Sequence, residues 1–95
     1  MDMECTHLDQ IQVTGTDQTV CPECEAQGDQ WVHLRMCLVC GHVGCCDSSK
    51  NRHARKHYRQ TGHPLIRSVE PGETWRYCYI DKLFLNSQNR AIRKG

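Results

Sequence analysis

Residues 37–57 read CLVCGHVGCCDSSKNRHARKH, and this stretch decides how the chain folds. It begins with a Cys-x-x-Cys knuckle, passes through Cys45, and ends with His53 and His57, which are four residues apart. Residues with this separation lie on one face of a helix, so both imidazoles can point toward the preceding thiols. The combination of thiols and helical imidazoles at these intervals is typical of metal ligands.

The eight Cys and six His of this 95-residue chain must form either disulfides or metal sites. An upstream knuckle, Cys21-Pro-Glu-Cys24, repeats the Cys-x-x-Cys spacing. The sequence starts MDMEC, with no basic segment before an apolar run, so we expect no secretory signal peptide and a cytoplasmic location with reduced thiols. Disulfides would also leave the histidines without a role. The pattern therefore favours zinc binding.

The chain has little apolar material with which to stabilise a fold. Hydrophobic residues make up 38% of it, with one Phe, two Trp and three Tyr. Ordering the backbone costs roughly 1–2 kcal/mol per residue, and small domains bury too little surface to offset this easily. We therefore expect bound zinc to hold the fold together. No apolar stretch approaches the ~20 residues that a membrane-spanning helix needs, so no membrane span is predicted.

Local patterns predict a small α+β domain. A helix is expected over about residues 49–60, between the N-cap candidates that follow Cys46 and the stop signal Thr61-Gly62. Strands are predicted over 31–36, 64–69 and 74–79, with a further short strand at 82–85. Residues 86–95 are polar and basic and are predicted to form a flexible tail, which leaves residues 1–85 as the domain.

Spacing alone does not assign ligands to particular ions. Structural zinc sites need four ligands each, so eleven Cys and His residues plus one carboxylate would fill three sites. His63 follows the helix stop, where a chain reversal can bring it beside His57. His33 and His42 are expected to be solvated surface residues.

A longer ordered series carries a family resemblance. Its members are Cys21-x-x-Cys24, Trp31, Cys37-x-x-Cys40-Gly, Cys45, His53-x-x-x-His57, Thr61-Gly-His63-Pro, Trp75 and Cys78. The series resembles the UBP-type zinc finger, a ubiquitin-binding domain of several ubiquitin-specific proteases. The similarity covers residues 5–85 and is greatest to small stand-alone prokaryotic members. It implies a twisted antiparallel sheet with one main helix packed against it.

The resemblance also implies three zinc ions and their ligands. The first ion takes Cys21, Cys24, Cys45 and His53. The second takes Cys37, Cys40, His57 and His63. The third takes Cys5, His7, Cys78 and Asp81, where Asp81 stands at a position that the family often fills with Cys. A carboxylate is an acceptable zinc ligand. Cys46 is left over, either as a small buried residue or as an alternative to Cys45.

In ubiquitin-binding members of the family, a pocket takes the free C-terminal Gly-Gly of ubiquitin. An Arg two residues past the Cys45 position binds the carboxylate, and aromatic rings lie beside it. Here Asp47 stands at the Arg position, where it would repel a carboxylate. Rings are expected at or near the pocket from Trp31, Tyr77, Tyr79 and Phe84. The expected function is a zinc-binding recognition module for a peptide or protein partner, with weak or no binding of the ubiquitin C-terminus.

Two other functions remain as alternatives. One is a purely structural zinc domain that docks on another protein through the basic outer face of its helix, formed by Lys50, Arg52, Arg55, Lys56 and Arg59. The remote one is a metallo-hydrolase. It is remote because catalytic zinc keeps a position open for water, whereas two of the three sites are closed by four protein ligands and only the site with the weaker ligand Asp81 could open. No enzyme activity is expected.

The basic helix face is expected to be solvated rather than to bind phosphate, because no aromatic residues interleave with it. The formal net charge is +1, and seven ionised thiols with three zinc ions would leave the chain near neutral, which argues against nucleic acid as a partner.

Overall fold

A computed structural model describes residues 5–94, so residues 1–4, used above to judge the N-terminus, and Gly95 lie outside it. A short 3-10 turn at Leu8–Gln10 comes first. The elements that follow are α1 (Pro22–Gln27), β1 (Leu34–Cys37), β2 (Val43–Cys45), α2 (His53–Thr61), β3 (Leu65–Ser68), β4 (Arg76–Cys78), β5 (Leu83–Leu85) and β6 (Ala91–Lys94).

The six strands form one antiparallel sheet in the order β2-β1-β3-β4-β5-β6. With α2 as the main helix, contacting β1 and β2, the predicted α+β class is confirmed. Strand β2 was not predicted, because its three residues are too short for alternation to show. Within residues 5–94, no helix combines the length and the apolar character needed to cross a membrane.

The core lies on one face of the sheet. Side chains alternate between the two faces of a strand, so Leu34 and Met36 of β1 share a face, and both are buried. The register continues this face into β3 and β5 through Leu65 and Leu83, which both pair with β4. Apolar side chains of the N-terminal segment complete this core, namely Cys5, Leu8, Ile11 and Val13.

The main helix begins four residues later than predicted, at His53 instead of residue 49. Ser49 was an expected cap, but it is buried and its hydroxyl accepts the Val32 N–H at 2.8 Å instead. Arg52 precedes the helix in a left-handed conformation, with φ of 49°. The end agrees with the predicted stop, since Gly62 follows Thr61 with φ of 76°, where glycine has no steric cost.

The C-terminal segment also differs from the sequence prediction. Residues 86–95 were predicted to form a flexible tail, whereas Ala91–Lys94 form β6 and pair with β5. A polar turn joins the two strands: the Asn86 N–H donates to Arg90 O, and the Asn89 N–H donates to Asn86 O, both at 2.9 Å. Asn89 adopts φ of 63°, which Asn tolerates well. The segment was predicted to be flexible because it consists of polar turn residues followed by a strand too short to show a pattern.

Gly44 fixes how closely α2 approaches β2. A Cβ added there would lie 2.6 Å from Ala54 N and 2.9 Å from the His53 carbonyl carbon, both of them backbone atoms. We expect Gly44→Ala to destabilise the zinc-loaded protein by about 1–3 kcal/mol, as overpacking usually does. The thermal midpoint should fall by roughly 4–8 °C per kcal/mol. Gly15→Ala is the control, since no atom lies within 4 Å of its Cβ position. Equal midpoints for both variants would contradict the prediction.

Candidate metal centres and an aromatic cavity

Three groups of four potential ligands form in the structure, and within each group the donor atoms lie within 4.8 Å of one another. They are the same three sets that the family resemblance implies. We call them the inner group (Cys21, Cys24, Cys45, His53), the outer group (Cys37, Cys40, His57, His63) and the terminal group (Cys5, His7, Cys78, Asp81).

The inner group is buried at the meeting point of three elements. Cys21 precedes α1 and Cys24 lies within it, Cys45 ends β2, and His53 begins α2. The His53 Nδ1 atom lies 3.3, 3.4 and 3.6 Å from the sulfur atoms of Cys21, Cys24 and Cys45. The sulfur atoms of Cys24 and Cys45 are 3.8 Å apart.

These separations fit a tetrahedral zinc ion. With zinc–sulfur bonds of about 2.3 Å and zinc–nitrogen bonds of about 2.0–2.1 Å, two sulfur ligands are about 3.8 Å apart and a sulfur and a nitrogen about 3.6 Å apart. The inner group therefore has both the donor types and the spacing that zinc requires.

The outer group lies where α2 faces the second knuckle. Cys37 ends β1 and Cys40 lies in the turn that follows, while His57 is one helical turn beyond His53 and His63 follows Gly62. The Cys37 sulfur is 3.6 Å from His63 Nδ1, and the Cys40 sulfur is 3.3 Å from His57 Nε2. Cys40 is exposed, so this group is open to solvent on one side.

The terminal group joins the start of the described chain to the end of β4. His7 Nδ1 is 3.5 Å from the Cys78 sulfur and 3.0 Å from Asp81 Oδ2. The Thr6 N–H donates to the same carboxylate at 2.9 Å, and this bond is the main reason that the Asp81 pKa lies below its usual range. Asp81 is thus held as a carboxylate beside a thiol and an imidazole, and its oxygen completes the donor set.

The thiols of these groups need a cation to ionise. Burial raises the pKa of Cys21 to about 11 and that of Cys5 to about 12, so without a metal both stay protonated at neutral pH. A divalent cation reverses this preference and displaces the protons. Backbone N–H groups already point at the sulfur atoms that would carry charge, from His53 to Cys45 at 3.2 Å and from His7 to Cys5 at 3.4 Å.

Two residues around the metal groups were missed by the sequence analysis. His42, expected to be solvated, is partly buried, and its ring stacks on that of His57 with centroids 4.2 Å apart. Its Nε2 atom is 2.6 Å from Glu23 Oε1, and the other oxygen of Glu23 is 3.9 Å from His53 Nε2. Carboxylates beside ligating histidines orient their rings. No spacing rule reveals such contacts. His33 is exposed, as expected.

A cavity of about 290 Å³, the aromatic cavity, is lined by residues that belong to none of the three groups. Its walls are formed by Arg35, Cys46, Asp47, Ser48, Arg55, Ile66, Trp75, Tyr77, Tyr79 and Phe84. The predicted pocket residues Asp47, Tyr77 and Tyr79 are among them. Trp31 is not, since it packs half-buried against the core. Cys46 is buried at the cavity wall, with its sulfur 3.5 Å from the Ser49 hydroxyl, and belongs to none of the metal groups.

Strand alternation explains why the rings gather on one side. Along β4 and the residues that flank it, every second side chain lies on the same face of the sheet. One face therefore carries Trp75, Tyr77 and Tyr79, and the other carries Cys78. Register adds Phe84, which pairs with Tyr77 across β4 and β5. The Tyr77 ring centroid lies 4.7 Å from that of Phe84 and 5.5 Å from that of Tyr79. These distances are typical of packed aromatic pairs.

The charged groups of the aromatic cavity are paired with one another. Arg55 binds Asp47 with Nε at 2.9 and 3.0 Å from the two carboxylate oxygens and Nη2 at 2.5 Å from Oδ2. This pairing lowers the pKa of Asp47. The guanidinium of Arg55 lies 5.0 Å from the Tyr79 ring centroid, and that of Arg35 lies 4.5 Å from the Trp75 ring. Arg55 was predicted to lie on a solvated helix face, and no role was predicted for Arg35.

A small antiparallel sheet fastened by three Cys/His groups defines the class of protein, a zinc-finger domain. Residues 21–90 match the family described as "Zn-finger in ubiquitin-hydrolases and other protein". The chain belongs to this UBP-type zinc-finger family and is a zinc-binding module.

Similar proteins include ubiquitin carboxyl-terminal hydrolase 14 of Schizosaccharomyces pombe, 34% identical over 89 residues that cover 79% of this chain. The human BRCA1-associated protein is 33% identical over 79 residues, covering 80% of this chain. The chain spans only 11 to 12% of the length of these curated relatives. A protein of Rhodopseudomonas palustris, known from a solution NMR structure, is 42% identical with a TM-score of 0.79, over 100% of this chain and 94% of that one.

Removing zinc should unfold the chain. Structural zinc sites contribute about 10–16 kcal/mol in apparent binding free energy, comparable with the whole stability of a domain, about 5–15 kcal/mol. Circular dichroism and an amide NMR spectrum after strong chelation should show the loss, and returning zinc should restore the spectrum. Acidification should also release the metal, because protons compete for the thiolates. A well-dispersed spectrum from the metal-free protein would contradict the prediction.

Proposed function

We propose that this chain is a recognition module in which three zinc ions hold the fold and the aromatic cavity receives a peptide or protein partner. The observation that carries the proposal is the cavity itself, about 290 Å³ between aromatic rings, with paired charges at its wall. Pockets that are mostly apolar, with a few oriented polar groups, are the usual form of ligand sites. The need for reduced thiols makes a cytoplasmic location part of the proposal.

Each of the three groups would hold one zinc ion with four protein donors. Catalytic zinc keeps a position open for water or substrate, whereas four protein ligands close the coordination shell. The role of the metal in this proposal is therefore structural, and the chain has no catalytic activity. The terminal group is the most labile of the three, because Asp81 replaces a thiolate with a harder oxygen donor.

The aromatic cavity suits a neutral group. The chain's own guanidinium groups already lie over the rings of Trp75 and Tyr79, which leaves those faces unsuited to a ligand cation. A free carboxylate also finds the bidentate edge of Arg55 taken, because Nε and Nη2 already donate to Asp47. Arg35 donates to Ser68 Oγ at 3.3 Å and lies 3.8 Å from Glu73. Binding of the ubiquitin C-terminus is therefore weak in this proposal.

Metal analysis should give close to three zinc ions per chain, and Asp81→Ala should lower this by one. Asp81→Cys should retain the third ion or bind it more tightly, because a thiolate is the softer ligand. Inductively coupled plasma analysis after dialysis against a mild chelator measures both. Asp17→Ala, at an exposed residue outside the groups, is the control. Three retained ions in Asp81→Ala would show that the terminal group does not use this carboxylate.

The sign of the charge at residue 47 should decide whether a carboxylate binds. We expect a peptide ending in Arg-Leu-Arg-Gly-Gly to bind the wild type weakly or not at all. Asp47→Asn frees the guanidinium of Arg55, and Asp47→Arg adds a second one. Each should strengthen binding by about 1.5–3 kcal/mol, roughly tenfold or more, if a charge-assisted bond forms. Isothermal titration calorimetry measures the affinities.

The same peptide with an amidated C-terminus is the ligand control, and Asp17→Asn is the protein control. The gain should vanish on amidation and be absent in Asp17→Asn. A micromolar affinity of the wild type that disappears on amidation would overturn the prediction and show that another donor captures the carboxylate.

A further inference from the structure

A second concave surface lies beside the aromatic cavity, at the start of α2. This basic cleft has a volume of about 230 Å³ and is lined by Lys50, Asn51, Arg52, Arg55, Lys56 and Arg59. Five of its six lining residues carry positive charge, and none is acidic. Its shape and charge together distinguish it from an ordinary solvated helix face, which is what the sequence predicted.

Most of these cations have no anionic partner among the described residues. Arg55 is paired with Asp47, and Lys50 lies 3.3 Å from Asp29 with its side chain 74% exposed. Within residues 5–94, no ion pair engages the other three cations, Arg52, Lys56 and Arg59. The basic cleft therefore presents three unpaired cations within about two helical turns.

The position of the cations along the helix is unfavourable for the helix itself. The N-terminus of a helix carries the positive end of its dipole, which stabilises acidic side chains there and opposes basic ones. The first turn of α2 contains no acidic residue, and Arg52, Arg55 and Lys56 all lie at or near it. A merely solvated surface would gain nothing from this arrangement. An anionic ligand would be attracted by the side chains and the dipole together.

The basic cleft and the aromatic cavity adjoin each other, because Arg55 lines both. Asp47 accepts from Nε and Nη2 of Arg55, while Nη1 makes no hydrogen bond within the described chain. We propose that the basic cleft is the second half of the ligand site and binds acidic residues of the same peptide whose neutral residues fill the aromatic cavity. This inference rests on the proposed function of the cavity.

Charge and ring placement favour an acidic peptide over nucleic acid. Binding of single-stranded nucleic acid combines cations with aromatic rings on which bases stack, and the basic cleft has no aromatic residue in its lining. The formal net charge of the chain is only +1, so the positive potential is local to this surface. A short run of Glu or Asp side chains matches such a local cluster.

An NMR titration of the zinc-loaded, 15N-labelled protein tests the inference. The probe is acetyl-Glu-Glu-Glu-Glu-Leu-Ser-Gly-amide, and its matched control carries Gln in place of each Glu. We expect the acidic probe to shift amide signals both in residues 50–59 and in residues 75–79. The Gln peptide should bind more weakly and shift only the second set. Raising the salt from about 50 to about 250 mM should weaken the acidic probe alone.

Variants of the helix give a second measurement. Lys56→Gln and Arg59→Gln should each raise the Kd of the acidic probe roughly two- to fivefold, the range of exposed ion pairs, and leave the Gln peptide unaffected. Both residues are exposed and outside the metal groups, so the fold should persist. Arg90→Gln, at an exposed cation in the β5–β6 turn, is the matched control and should change neither affinity.

Equal affinity of the two peptides, or acidic-probe shifts confined to residues 50–59, would overturn the inference. The same holds if a short oligothymidine bound these residues more tightly than the acidic probe. If the two peptides bound with equal affinity and both shifted the signals of residues 75–79, the proposed function of the cavity would remain intact. If neither peptide shifted residues 75–79 and Tyr77→Ala left both affinities unchanged, the proposed function of the cavity would fail as well.

Discussion

The structure depends above all on buried thiols that lie close together. The sulfur atoms of Cys24 and Cys45 are 3.8 Å apart, in an interior where burial raises the pKa of Cys45. Ionised thiols at this distance repel each other, and a divalent cation turns that repulsion into attraction. The inner group joins α1, β2 and α2, elements of only six, three and nine residues. Elements this short are not stable alone, and an ion shared by the four inner ligands would hold them together.

The ligand sets show what spacing can predict and what it cannot. The interval between His53 and His57 correctly placed both on one helix face. It did not predict that they would join different groups. Four residues along a helix span about 6 Å, whereas the donor atoms of each group lie within 4.8 Å of one another. One helix face therefore contributes to two ligand groups, and only the family resemblance indicated which thiols belong to each.

The fold was predictable where its signals are local. The helix stop at Gly62 and the alternation around Cys78 depend only on neighbouring residues. The predicted helix end and the predicted strand are both present, as the end of α2 and as β4. The start of α2 was not predictable from its neighbours. The hydroxyl of Ser49, the expected cap, accepts the N–H of Val32, a residue distant in sequence, and so does not cap the helix. Likewise β6 exists because it pairs with β5, a contact that its own polar sequence does not indicate.

Asp47 shows why the charge of one residue does not by itself determine the electrostatic potential of a binding site. By position alone, its carboxylate repels an anion from the aromatic cavity. The structure adds Arg55, eight residues later, which neutralises that charge through Nε and Nη2. A ligand carboxylate that approached through the cavity would have to displace Asp47 from a bidentate, charge-assisted pair with Arg55. The remaining nitrogen, Nη1, makes no hydrogen bond within residues 5–94 and could donate to an anion while the pair stays intact. The ion pair therefore takes up two nitrogen atoms of Arg55 and leaves the third available to an anionic ligand.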